Sequence, residues 1–567
     1  MTTPASGDAC VAAIDIGTAS VRSAIVTADG TILARATADI AVNRPEKDHR
    51  EQSSDEIWAA ICTTMRRAVA EAGIAPAAVR GLSVDTTSCT LVFLDGGFAP
   101  VCISGDGDPR WNVIQWADHR AVAEAEECTA TGHRMLRHVG GVMSPEMQVP
   151  KCLWVKRQRP QAWARTAHVF DLADFVTWKC TGDAARSACT LTCKWGYLGH
   201  EDAPWPDDFL AAVGLEDGRA RTGVPARATP VGRPIGRLSA AAAEALGLGR
   251  DCVVAAGLID AHAGVLGVLG AAIGAADGGP VDDRIGLIAG TSTCHMALSP
   301  EPRFIPGVWG PYLGAVVPGM WVNEGGQSAT GALLDHVIQL HGGTPTPAAH
   351  RALIERVAAL RRADGFGLDP ELMVLPDFHG NRSPLADAHA RGVVSGLTMD
   401  ASDDALARLY FATCLAIVYG TRHIIDAMNA QGFRIDHLHL TGGHARNPLL
   451  VELYASATGC TVVLPEQEDG VLLGAAILAA SGCGLHQSPA AAARAMVRTA
   501  SSRWRSTRSR TSIGATRPSC ACTSTGASWP RSSPVERGPQ AGRFSSTKAS
   551  LALCQPCFTI GRRAAST

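Results

Sequence analysis

Several turns that follow apolar runs carry the residues able to do chemistry. In "VAAIDIGTASVRSAIV", residues 11–26, an apolar run reaches Asp15 and turns through Gly17, Thr18 and Ser20 before apolar residues resume. "GLIAGTSTCHMALS", residues 286–299, repeats the pattern with Gly290, Thr291 and Ser292. Backbone N–H groups and hydroxyls converge in such a hairpin, which suits phosphate. A carboxylate beside it suits Mg2+, directly or through water, because Mg2+ prefers oxygen ligands; Asp15 is the candidate. Asp260 ends the apolar run of "AAGLIDAHAGVLG". It is either a helix N-cap or a general base that removes a proton from an alcohol attacking a phosphoryl group. In "LHLTGGHARNPLL" the paired glycines Gly442 and Gly443 let a flat ring or a phosphate approach the backbone, and a helix opens near Asn447 and Pro448. Other phosphate motifs are excluded: Gly-Lys never occurs, so there is no Walker A loop, and no strand leads into G-x-G-x-x-G.

The elements that must position these residues alternate. Apolar strand-like runs at 11–16, 81–85, 252–259, 285–289 and 437–441 alternate with helical stretches such as 55–72 and 403–428, the α/β signature. The Gly/Pro/Asp-rich stretch "GAAIGAADGGPVDD" reads as a connection. It separates an N-terminal domain, 9–278, from a C-terminal one, 279–482, with an atypical tail over 483–567. One copy of the hairpin pattern opens each domain.

The chain has 567 residues, 46% apolar and 18% charged, enough to bury substantial cores. A net charge of −2 offers no electrostatic case for nucleic acid or an anionic membrane. The start "MTTPASGDAC" lacks a signal pattern and no apolar run reaches membrane-spanning length, so a cytoplasmic protein is expected. Eighteen cysteines, among them Cys62, Cys128, Cys252 and Cys414, are scattered through apolar segments and read as buried free thiols. The one C-x-x-C, Cys554 to Cys557, lies in the atypical tail.

Together with "VIQWADHRA" (113–121) and "LPDFHGNRSPLADAHARGVVSGL" (375–397), these segments resemble the FGGY carbohydrate kinases. The resemblance spans residues 9 to about 480. It implies two RNase-H-like domains of the actin/hexokinase/Hsp70 ATPase type, ATP and Mg2+ in the cleft between them, and Asp260 as the base. "GGVMSPEMQVPKCLWVK" (140–156), "CTLTCKWGY" (189–197) and "VPGMWVNEGGQSATG" (317–331) resemble the ribulokinase branch, D-ribulokinases above all. That branch's Thr-Cys-Ser-Leu-Val signature stands here as Ser88-Cys89-Thr90-Leu91-Val92, placing Ser88 and Cys89 at the sugar. The same resemblance implies that Lys194, Glu324 and Asp260 hold a ketopentose. Asp118 and Arg120 either line that pocket or pair with each other. The expected reaction is ATP-dependent phosphorylation of D-ribulose to D-ribulose 5-phosphate. The alternatives are another pentulose or pentitol (L-ribulose, xylulose, ribitol) and a non-catalytic actin-like ATP- or sugar-binding protein. A homodimer is compatible with the sequence.

Residues 501–567 hold eleven Lys/Arg against one acid, Glu536, and lose apolar periodicity. A basic nucleic-acid-binding tail is one reading. The preferred one is a reading-frame shift: another frame of 517–526, for suitable codons, accommodates Ser-Phe-Leu-Arg-Met-Tyr-Glu-His-Gly, similar to the helix that ends chains of this family. Disorder from about residue 500 and reduced stability are the expected consequences.

Overall fold

The computed structural model describes residues 9–273, 281–365, 368–467 and 469–504. Two sheets of like topology organise them. In the first, Ile32–Asp39, Ser20–Thr27 and Cys10–Ile16 form an antiparallel meander; Val79–Thr86 and then Val253–Ala255 continue it in parallel, and Pro234–Arg237 closes the far edge. In the second, Trp309–Leu313, Trp321–Gln327, Thr293–Ser299 and Arg284–Ala289 repeat the meander, and His437–Gly442 and Thr461–Pro465 extend it in parallel. The repeated Gly-Thr hairpin thus occupies equivalent places: it joins the central strand of each sheet to its antiparallel neighbour.

The helices follow from their patterns. Ser54–Ala72 buries Ile57, Ile61, Met65 and Ala68, a stripe at helical spacing; Ser53 caps its first turn, and Gly73 ends it at φ 65°. The strand expected over 252–259 is divided into Val253–Ala255 and Leu258–Ile259, the second pairing with Asp85 and Thr86. Gly257 sits at the break, where an added Cβ would meet Val84 O at 2.3 Å.

Helix Gly470–Gly482 is buried on every side. It packs on helix Asp260–Leu269 so closely that a Cβ on Gly474 would lie 2.0 Å from Ala263 O. A single apolar cluster takes in Val11 and Ala13 of the first sheet, Val265 and Leu266, Met296 and Leu298 of the second sheet, and Leu472 and Leu473. The two halves of the fold therefore share a core.

Beyond residue 482 the chain continues to pack against the second sheet and its helices. Helix Pro489–Met496 buries Ala492, Ala493 and Met496, and strand Thr499–Trp504 pairs antiparallel with Thr461–Pro465. In the helix, the apolar side chains fall at helical spacing and pack on one face. The domain junction placed at 278/279, the tail expected to be disordered from about residue 500 apart from its first few residues, and the Cys554–Cys557 pair lie outside the described residues.

Candidate active site

Asp15 and Asp85 are register partners on adjacent parallel strands, near their C-terminal ends. Asp260 follows the short strand Leu258–Ile259, which also pairs with Val79–Thr86, so three strand ends deliver three carboxylates to one region. Asp15 is buried and takes a 2.5 Å hydrogen bond from Arg22 Nε, while Arg22 reaches Asp469 at 2.7 Å. Asp85 is fully buried, with the Asp15 carboxylate as its hydrogen-bonding neighbour. Burial, then the charges of Asp15 and Asp260, push its carboxyl well above the usual range. Asp260 remains partly open to solvent, with Oδ1 accepting from Ala261 N–H at 2.7 Å. Surrounding protein and the Asp15 and Glu324 charges raise it to about 7. A base poised near neutral pH is suited to proton transfer. Three carboxylates gathered at adjoining strand ends are an oxygen-only donor set, which fits Mg2+.

Both hairpin tips are exposed at Thr18, Ala19, Gly290 and Thr291. The first is clamped from behind: Thr18 O accepts from Gln52 and Gln115, and its hydroxyl from Trp116 Nε1 at 3.1 Å. In the second, Thr291 O accepts from Thr330 N–H at 3.0 Å and Gly290 O from Gly331 N–H at 3.2 Å. Gly442 lies beside it, in register with Ala289. Its φ of 87° and a Cβ that would meet Ala289 O at 2.4 Å explain the glycine. Gly443 is exposed next to it, and Asn447 caps helix Pro448–Thr458, its Oδ1 accepting from Leu449 and Leu450 N–H.

Lys194 and Glu324 meet in a buried ion pair at 2.9 Å, with side chains 0% and 3% exposed. The Lys194 ammonium also lies 4.0 Å from the Trp309 ring centroid. Burial would raise the Glu324 carboxyl, but Lys194 and His262 hold it down to about 2. Ser88 and Cys89 form a tight turn, with Cys89 at φ 57° and its carbonyl accepting from buried Lys151 at 2.8 Å. The charge of Lys194 is felt at the Cys89 thiol. Asp118 and Arg120 are brought together: Arg120 makes hydrogen bonds of 2.8 and 2.7 Å to Asp118 and one of 2.9 Å to Glu51.

Sequence reading missed Asp85, whose "LSVDT" repeats the strand-end acid of Asp15. It also missed His262 and the thiols facing it. Cys189 Sγ lies 2.9 Å from His262 Nδ1. Burial opposes charge there, yet Cys193 and His262 bring the Cys189 thiol down to about 5, while Cys189 and Glu324 hold the imidazole up at about 9. Arg382 was missed too; it pairs with Glu146 at 3.1 Å, near the rings of Trp116 and Trp309. Among the described residues no helix is long and apolar enough to cross a membrane.

Residues 10–267 match the N-terminal domain, and 286–483 the C-terminal domain, of the FGGY family of carbohydrate kinases. An FGGY carbohydrate kinase domain-containing protein of Danio rerio is 48% identical over 494 residues, 82% of this chain and 88% of the relative. A D-ribulokinase of Saccharomyces cerevisiae is 36% identical over 508 residues, 82% of this chain and 71% of the relative. The fold is that of the xylulose kinase from Rhodospirillum rubrum, with a TM-score of 0.70 at 23% identity over 88% of this chain and 94% of that one. The chain belongs to the FGGY family of carbohydrate kinases, enzymes that transfer phosphate from ATP to a sugar.

Proposed function

We propose that the chain phosphorylates the terminal hydroxyl of a ketopentose, D-ribulose, to give D-ribulose 5-phosphate. The observation that carries this is the buried Lys194–Glu324 pair against Trp309, whose charges are felt at Asp260 and Cys89. A polyol is oriented by a few convergent charged donors and acceptors on an otherwise closed wall. Similarity to the yeast D-ribulokinase supports the choice of sugar.

In this reading the phosphates of ATP lie between the hairpin tips at Thr18 and Ser20 and at Gly290, Thr291 and Ser292. The adenine lies against Gly442 and Gly443. Lys194 and Glu324 orient the sugar so that its terminal oxygen faces the γ-phosphorus. That oxygen forms the new P–O bond as the bond to ADP breaks, and its proton passes to a carboxylate oxygen of Asp260. Asp15 and Asp85 would hold Mg2+, which supplies positive charge to the phosphates. Closure around both substrates excludes water and limits ATP hydrolysis.

Coupled ADP release over a panel of pentuloses and pentitols tests this. The highest kcat/KM on D-ribulose is expected. A clear preference for xylulose, L-ribulose or ribitol would replace the proposed substrate while leaving the kinase chemistry in place.

A further inference from the structure

Helix Ala188–Lys194 turns Cys189 and Cys193 to one face, since residues four apart overlap on a helix. His262, on the first turn of helix Asp260–Leu269, comes to meet them. Cys189 Sγ and Cys193 Sγ lie 2.9 and 3.8 Å from His262 Nδ1, and the three ligand atoms are within 4.8 Å of one another. All three residues are buried. The second ring nitrogen, Nε2, faces Glu324 Oε2 at 3.6 Å. No step of the phosphoryl transfer uses a thiol.

We propose that Cys189, Cys193 and His262 form a binding site for a thiophilic divalent cation of the Zn2+ class, with His262 bound through Nδ1. Tetrahedral Zn2+, with bonds of about 2.3 Å to sulfur and about 2.0 Å to nitrogen, holds those atoms about 3.6 Å apart. The two Sγ–Nδ1 separations lie on either side of that value. Histidine ligands characteristically present their other nitrogen to a carboxylate, which fixes the ring; Glu324 stands in that place. Two sulfurs and a nitrogen do not suit Mg2+, so this site is chemically distinct from the oxygen cluster of Asp15, Asp85 and Asp260. Among the described residues, this is the one cluster of three metal-ligating side chains that includes thiols. A bound ion would tie the helix carrying Lys194 to the turn carrying Asp260 and hold both in place.

The test uses the full chain produced in zinc-depleted medium supplemented with Co2+. One equivalent of cobalt and a thiolate-to-cobalt charge-transfer band in the near ultraviolet are expected. Cys193→Ser should abolish the band and weaken metal retention by at least about a hundredfold, because loss of a direct ligand exceeds the 10–100-fold effect of outer partners. Cys62→Ser, on the separate helix Ser54–Ala72, should keep both. If Cys193→Ser does not fold, anomalous scattering from crystals of the zinc-loaded wild type decides, with a peak expected between the two Sγ atoms and Nδ1. Metal-free protein, a band that survives Cys193→Ser, or a peak elsewhere would overturn the assignment and leave a thiol–imidazole hydrogen bond.

Discussion

Lys194 Nζ reaches Glu324 Oε2 across 2.9 Å, joining the helix before Trp195 to a strand of the second sheet. Both side chains are out of solvent, so each depends on the other for its charge to be tolerated. Glu324→Ala leaves a buried ammonium uncompensated and should cost about 3–5 kcal/mol of stability. Lys194→Met combined with Glu324→Met should recover most of that in thermal unfolding, while the sugar response stays lost. A double variant that still phosphorylates sugar with unchanged KM would remove the pair from the pocket.

Asp260→Asn keeps the shape and removes the base. Sugar-dependent ADP release should fall by roughly 10²–10⁴, the usual worth of general-base catalysis. ATP affinity, measured by equilibrium binding, should change little. Wild-type turnover in this variant would rule out Asp260 as the base.

Glu146 and Arg382 predict an acid-sensitive contribution to stability. Burial would raise the Glu146 carboxyl, but Arg382 and then His119 hold it well below the ordinary glutamate range. A depressed folded-state pKa gives stability that is complete above the unfolded value, about 4.3, and drains as pH falls toward the folded one. Denaturant unfolding of the wild type should therefore lose stability below about pH 4. Glu146→Gln should be less stable at pH 7 and show a flatter acid limb. An unchanged acid limb would mean that the pair contributes nothing there.

Gly442→Ala tests the turn beside the second hairpin. With φ at 87° and Ala289 O 2.4 Å from the added Cβ, the substitution should cost about 1–3 kcal/mol and weaken nucleotide binding. Gly314→Ala, also at positive φ but with no atom within 4 Å of its Cβ, should destabilise less and leave nucleotide affinity unchanged.

The local parts of this protein were legible in its residues. The stripe of helix Ser54–Ala72, the strands ending in Asp15 and before Asp260, and the repeated Gly-Thr hairpin depend on neighbours within a few turns. The resemblance also supplied Lys194 and Glu324 as individual residues. Packing between distant segments decided the rest. Asp85 becomes notable only because strand register sets it against Asp15. That Arg120 pairs with both Asp118 and Glu51 shows only in the hydrogen bonds of the folded chain.

Sequence by itself determined the α/β class, the family resemblance and which turns carry acids and small residues, because periodicity and turn chemistry are local. Tertiary structure alone decided which charges meet. Lys194 and Glu324 are 130 residues apart, Cys189 and His262 are 73 apart, and Arg382 and Glu146 are 236 apart. No local pattern encodes such a meeting; it follows from two sheets sharing one core, which removes these groups from water and makes each partner necessary.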